Sequence, residues 1–122
     1  MQKKILVVDD DMYIRELYEE VLKDEGYFVE TAEDGEKGLV KLQGGGYDVV
    51  LLDVMMPKID GIGVLTELAQ NPPTTPNGAI MLLTNLGHDA VVKEAMSKGA
   101  IAYLNKADMT PDQLVTEVKK HL

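Results

Sequence analysis

Five short apolar runs punctuate the chain: Ile5–Val8, Tyr27–Val29, Val49–Leu52, Ala79–Leu83 and Ile101–Leu104. Several are continuous rather than alternating. A strand buried on both faces reads that way, and a parallel sheet covered by helices is the usual cause. Between the runs the apolar residues change to helical spacing. Ile14, Leu17, Tyr18, Val21 and Leu22 fall at i, i+3, i+4, i+7 and i+8, one face of a helix whose other side carries Glu16, Glu19, Glu20 and Asp24, with Gly26 as its stop. Leu39 and Leu42 mark a second helix ended by Gly44-Gly45-Gly46; Ile62, Leu65, Leu68 and Ala69 mark a third. Val91, Val92, Ala95 and Met96 mark a fourth, stopped by Gly99. Thr110, Pro111 and Gln113 predict an N-cap, a proline at the first helical position and a capping-box partner. Leu114, Val115, Val118 and Leu122 then form the apolar face of the last helix.

Strand followed by helix, repeated in this way, predicts an α/β fold with a parallel sheet and right-handed crossovers. The stretch Asn71-Pro72-Pro73-Thr74-Thr75-Pro76-Asn77-Gly78 reads as an exposed loop rather than a domain boundary. At 122 residues the expectation is one domain over 1–122. The apolar content of 45 % is that of an ordinary globular core.

Charge narrows the choice of partners. Twelve basic and 21 acidic side chains leave a formal charge of −9, which disfavours nucleic acid and anionic membranes, both polyanions. The charge favours bound cations and basic surfaces. With no Cys, disulfides and thiolate sites are excluded. The apolar run near the start is too short for a signal peptide and is followed by three Asp, so a cytoplasmic location is expected.

Ligands of open α/β sheets bind outside the carboxyl ends of the strands. The first run is followed by Asp9, Asp10 and Asp11, the third by Asp53 and Met55-Met56-Pro57, the fourth by Thr84 and Asn85, and the fifth by Lys106. Asp11 also fits a helix N-cap. Asp9, Asp10 and Asp53 would be like charges in close quarters, which raise one another's pKa unless a cation relieves them. Oxygen-only ligands select magnesium or calcium, and a shallow three-carboxylate pocket suits magnesium. A carboxylate in that setting can be a nucleophile through an aspartyl phosphate, with Lys106 and Thr84 available to the phosphoryl oxygens.

These residues resemble, across essentially the whole chain, the receiver domain of two-component response regulators. The resemblance is carried by Ile5-Leu6-Val7-Val8-Asp9-Asp10-Asp11, by Asp48-Val49-Val50-Leu51-Leu52-Asp53 with Met56-Pro57 and Asp60-Gly61, by Leu82-Leu83-Thr84, and by Gly99-Ala100 to Tyr103-Leu104 with Lys106. It implies a flavodoxin-like (βα)5 three-layer sandwich with strand order 2-1-3-4-5. It implies that Asp53 accepts the phosphoryl group, and that Asp10, Asp53 and the Met55 carbonyl ligate Mg2+ directly, with Asp9 acting through water. Lys106 would pair with the phosphoryl group, Thr84 would move to it, and Tyr103 would be the aromatic switch, although packing alone would also place a half-buried tyrosine there. The implied donor is a histidine kinase or phosphotransfer protein. The implied output is an unidentified protein target at the face of the fourth helix, fifth strand and fifth helix. The expected protein is a monomer or weak dimer without an output domain, and not an enzyme beyond promoting its own phosphorylation and dephosphorylation.

Two positions depart from the family pattern. Ala107 stands where a proline with a cis bond is usual, and a cis bond before Ala would cost about 2.5–4 kcal/mol, so a trans bond and a different aim for Lys106 are expected. Asn85 replaces a small residue after Thr84 and is expected to alter dephosphorylation. Two other readings compete: a pseudo-receiver that binds constitutively, and a haloacid-dehalogenase-type phosphatase with Asp9 as nucleophile. Neither a G-x-G-x-x-G nor a Walker pattern supports nucleotide binding.

Overall fold

The computed structural model describes residues 2–85 and 89–122. Strands β1 (Lys4–Val8), β2 (Phe28–Ala32), β3 (Val49–Asp53), β4 (Ala79–Thr84) and β5 (Ala102–Asn105) alternate with helices α1 (Met12–Asp24), α2 (Gly35–Gly44), α3 (Gly61–Gln70), α4 (Asp89–Ser97) and α5 (Pro111–Lys119). All neighbouring strands pair in parallel, in the order β2-β1-β3-β4-β5. The architecture is therefore the α/β three-layer fold that the sequence predicts. No helix among the described residues is long and apolar enough to cross a membrane.

The continuous apolar runs follow from burial on both faces of the sheet. Successive strand side chains alternate between the faces. Ile5, Val7, Val49, Leu51, Met81, Leu83 and Leu104 pack with Tyr18 and Leu22 of α1 and with Leu114 and Val118 of α5. Leu6, Val8, Val50, Leu52 and Leu82 pack on the other side with Leu42 of α2, with Val64, Leu65 and Leu68 of α3, and with Ala95 of α4. Every residue of β3 is buried, as befits the central strand.

The elements depart from the apolar runs at the edges. β2 begins one residue after Tyr27 and continues through Glu30, Thr31 and Ala32, which pair with Leu6, Val7 and Val8. An edge strand has one flank open to water, so polar residues are admitted and the apolar run understates its length. Ile101 lies outside β5 and is exposed. The helix starts are set by side-chain caps. Asp11 accepts from the amides of Tyr13 and Ile14, Asp34 from Lys37, and Asp60 from Gly63. Thr110 and Gln113 form the predicted capping box. At the end of the sheet away from the strand C-termini, Asn77 pins the proline-rich loop. Its Oδ1 accepts from the Tyr47 amide at 3.2 Å and its Nδ2 donates to the Leu42 carbonyl at 2.9 Å.

Gly38 marks the closest approach of α2 to β1. A Cβ there would lie 2.7 Å from Val8 Cγ1. Alanine is the better helix former, yet Gly38→Ala is expected to lower the unfolding free energy by about 1–3 kcal/mol through overpacking. Combined with Val8→Ala, the same change should become neutral or stabilising. A urea-denaturation double-mutant cycle checks this, and equal effects in both backgrounds would refute the contact as the cause.

Candidate functional site

Parallel pairing brings the ends of the strands to one edge. Val8 lies opposite Leu52, so Asp9 and Asp53 leave β1 and β3 side by side. They continue the α1–α5 face of their strands, and Lys106, two residues beyond Leu104, continues the same face of β5. The Lys106 ammonium reaches across β4 and donates to Asp9 Oδ2 at 3.0 Å and to Asp53 Oδ2 at 3.2 Å. Asp9 is fully buried and Asp53 is 3 % exposed, so these are interior ion pairs. The other oxygens are also engaged: Asp9 Oδ1 accepts from the Asp11 amide at 2.9 Å, and Asp53 Oδ1 from the Met55 amide at 3.3 Å. Asp10 is exposed. Asp9, Asp10 and Asp53 each offer a carboxylate oxygen within 4.8 Å of the others. That donor set fits a hard, oxygen-seeking dication such as Mg2+.

The loop after Asp53 is held close. The Gly61 amide donates to the Val54 carbonyl at 2.8 Å, and a Cβ on Gly61 would lie 2.8 Å from the Asp53 carbonyl oxygen. Only glycine lets α3 start so near the strand end. Between them Lys58 sits at φ 69°, and the Ile59 amide donates to the Pro57 carbonyl at 2.9 Å, closing a three-residue turn. Lys58 Nζ lies 3.5 Å from Asp34 Oδ2.

The cluster is electrostatically loaded. Burial pushes the Asp53 carboxyl up to about 7, the neighbouring Asp9 carboxylate adds to the rise, and Lys106 opposes it. Burial alone would lower the Lys106 ammonium, but its bond to Asp9 and the charges of Asp53 and Asp9 outweigh that and raise it above its ordinary value. Three carboxylates around one ammonium leave excess negative charge that a cation would neutralise.

Thr84 and Tyr103 occupy the opposite face. Thr84 ends β4 almost fully buried, one residue beyond Leu83, the partner of Asp53. Tyr103 pairs with Leu82 and is 58 % exposed, so it is not the half-buried packing residue that a strand tyrosine commonly is. Asn85 follows Thr84 and is exposed. Met55 is exposed beside the acidic cluster.

No cis peptide occurs among the described residues, so the Lys106–Ala107 bond is trans, as expected. Lys106 reaches Asp9 and Asp53 with that trans bond in place. The Lys106 amide donates to the Thr84 carbonyl at 2.8 Å, and Asn105 Oδ1 accepts from the Ala107 amide at 2.9 Å. This Asx-type turn holds the backbone, and the flexible lysine stem does the rest. Two residues near the site were not singled out from sequence. Arg15 Nη1 donates to the Asp9 carbonyl at 2.9 Å. Tyr18, read as core, has its phenol pushed up by burial, with Lys106 opposing and Asp9 adding. A basic residue one turn into the helix after an acidic strand end was the available signal for Arg15; Tyr18 had none.

Comparison with known proteins identifies the family and the fold. Residues 5–119 match the response regulator receiver domain family. The chain is 38 % identical over 118 residues to the probable transcriptional regulator ycf27 of Guillardia theta, covering 97 % of this chain and 44 % of that protein. It is 36 % identical over 106 residues to the chemotaxis protein CheY of Treponema pallidum, covering 84 % and 72 %. Its fold is similar to that of the chemotaxis protein CheY4 of Vibrio cholerae, with a TM-score of 0.85, 31 % identity and full coverage of both chains. The chain spans less than half the length of several curated relatives, among them the transcriptional regulatory protein ResD of Bacillus subtilis at 47 %. With the family pattern and the fold both matched over nearly every residue, the chain belongs to the response regulator receiver domains of two-component systems.

Proposed function

We propose that this receiver takes a phosphoryl group onto Asp53 from the phosphohistidine of a histidine kinase or phosphotransfer protein. The observation that supports this most is the placement of Lys106 between two buried carboxylates beside an exposed third. A carboxylate oxygen of Asp53 attacks phosphorus in line, the phosphorus–nitrogen bond breaks, and its electron pair leaves with the imidazole. Asp10, Asp53 and the Met55 carbonyl would hold Mg2+, with Asp9 acting through water; the bound ion supplies positive charge against the phosphoryl oxygens. Lys106 exchanges its bond to Asp53 for one to the phosphoryl group, keeping a cation at the developing charge. The chain acts as a phosphoacceptor that promotes its own phosphorylation and dephosphorylation rather than as an enzyme on another substrate. Family membership removes the haloacid-dehalogenase reading, and the contact of Lys106 with Asp53 supports a working receiver over a pseudo-receiver.

The output is a change of surface. Thr84 turns its hydroxyl toward the new acceptor oxygens, and Tyr103 moves inward into the space vacated, altering the face of α4, β5 and α5. Ile101, Tyr103 and Met96 give that face its exposed apolar groups for a protein target.

Incubation with acetyl phosphate and Mg2+ is expected to add one phosphoryl group by intact mass. Asp53→Asn or chelation of the metal should each abolish the gain. Phosphorylation retained in Asp53→Asn would move the acceptor elsewhere and overturn the assignment.

The raised pKa of Asp53 sets a pH dependence. Below about 7 the carboxyl holds a proton that metal binding must displace, so Mg2+ affinity should rise about tenfold per pH unit from 5.5 to 6.5 and level off above about 7.5. Calorimetric titrations across that range check it, and a flat profile would contradict it. Without metal the sign for stability is the reverse. A carboxyl whose folded pKa lies above its unfolded value stabilises below about 4, and that stability is lost as pH rises to about 7. Asp53→Asn should therefore raise the unfolding free energy by about 1–2 kcal/mol at pH 8 in chelator and have little effect at pH 4. Thermal melts at the two pH values measure the difference.

A further inference from the structure

The outer edge of β2 is open and basic. In the β1–β2 ladder the Phe28 amide donates to the Lys3 carbonyl and the Ala32 carbonyl accepts from the Asp9 amide. The backbone groups of Phe28, Glu30 and Ala32 thus face β1, and those of the alternate residues Val29 and Thr31 face outward. No strand pairs with that side among the described residues. The edge forms the floor of a cleft between α1 and α2, lined by Arg15, Thr31, Ala32, Glu33, Lys37 and Lys41. Three of those six residues are cationic and one is anionic, in a chain of net charge −9. The local carboxylates hold the lysines only loosely: Lys37 pairs with Glu33 and Lys41 with Glu30 at 3.0 Å, all as partly exposed pairs. Such pairs contribute little and exchange partners readily.

We infer that this cleft takes an extended acidic segment of a partner protein, added as a further strand on the edge of β2. An added strand would satisfy the outward groups of Val29 and Thr31. Its alternate side chains would point to the two walls, with the carboxylates of one set meeting Lys37 and Lys41 on α2. Three cations face two carboxylates, Glu30 and Glu33, around the cleft, and this local positive balance favours an acidic over a basic segment here. The cleft lies on the opposite edge of the sheet from β5 and does not use the α4–β5–α5 face. The partner could therefore be held whichever surface the receiver presents there.

The probe is a short capped peptide alternating Glu and Val, titrated into the full chain and followed by amide NMR shifts. It should perturb Val29, Thr31, Lys37 and Lys41, and a Lys–Val peptide should bind about tenfold more weakly. Lys37→Glu should weaken the acidic peptide to a similar degree and leave acetyl-phosphate labelling intact, which reports that the variant is folded. Of two analogues N-methylated on alternate residues, one should lose binding and the other keep it, since only one set of amides faces β2. Equal binding of both analogues would overturn strand addition. The same shifts produced by inorganic phosphate alone would reassign the cleft as a small-anion site. Concentration-dependent dimerisation that buries β2 and excludes the peptide would assign the edge to a second copy of the chain.

Discussion

One ammonium group holds the end of the sheet together. Lys106 comes from the loop after the edge strand β5 and spans β4 to reach two buried carboxylates on β1 and β3. Two ionised aspartates at that spacing would repel in a low-dielectric interior, and a lone buried lysine there would be no better placed. Together they are tolerated, and the surplus negative charge, increased by Asp10, creates the demand for a dication. The loop geometry around Asp53 follows from the same requirement. Gly61 brings α3 against the strand end, and the tight turn at Lys58 returns the chain to it.

The strands were legible where burial is two-sided. β1, β3 and β4 read as unbroken apolar runs because helices cover both faces, and their ends fall within a residue or two of the runs. β2 was legible only at its start, since Glu30 and Thr31 are ordinary polar residues on an edge. Ile101 misled in the opposite sense, being apolar yet exposed and outside the strand. Helix starts were read from their side-chain caps at Asp11 and Thr110, whereas the caps at Asp34 and Asp60 were not singled out.

The site was legible as a set of strand ends. Asp9, Asp53 and Lys106 are far apart in sequence, and only the strand order makes them neighbours. What composition could not reveal was how the lysine is aimed. Ala107 leaves the bond after Lys106 trans, and Asn105 supplies an Asx-type turn that holds the backbone there. Arg15 and Tyr18 were hidden for a different reason. A helical arginine looks solvated and a helical tyrosine looks like core, and nothing local to either tells which carbonyl or charge it will meet.

The alternation of side chains across the sheet has a consequence for how the domain can vary. The residues that hold the acidic cluster belong to the layer packed by α1 and α5, whereas Thr84 and Tyr103 fall on the face packed by α4, and the two apolar cores share no residue. Free-energy effects add when sites share no contacts. Substitutions that reshape one layer are thus largely unfelt in the other, and the surfaces the two layers build can drift separately. The sheet is in this sense a partition between two separately packed layers.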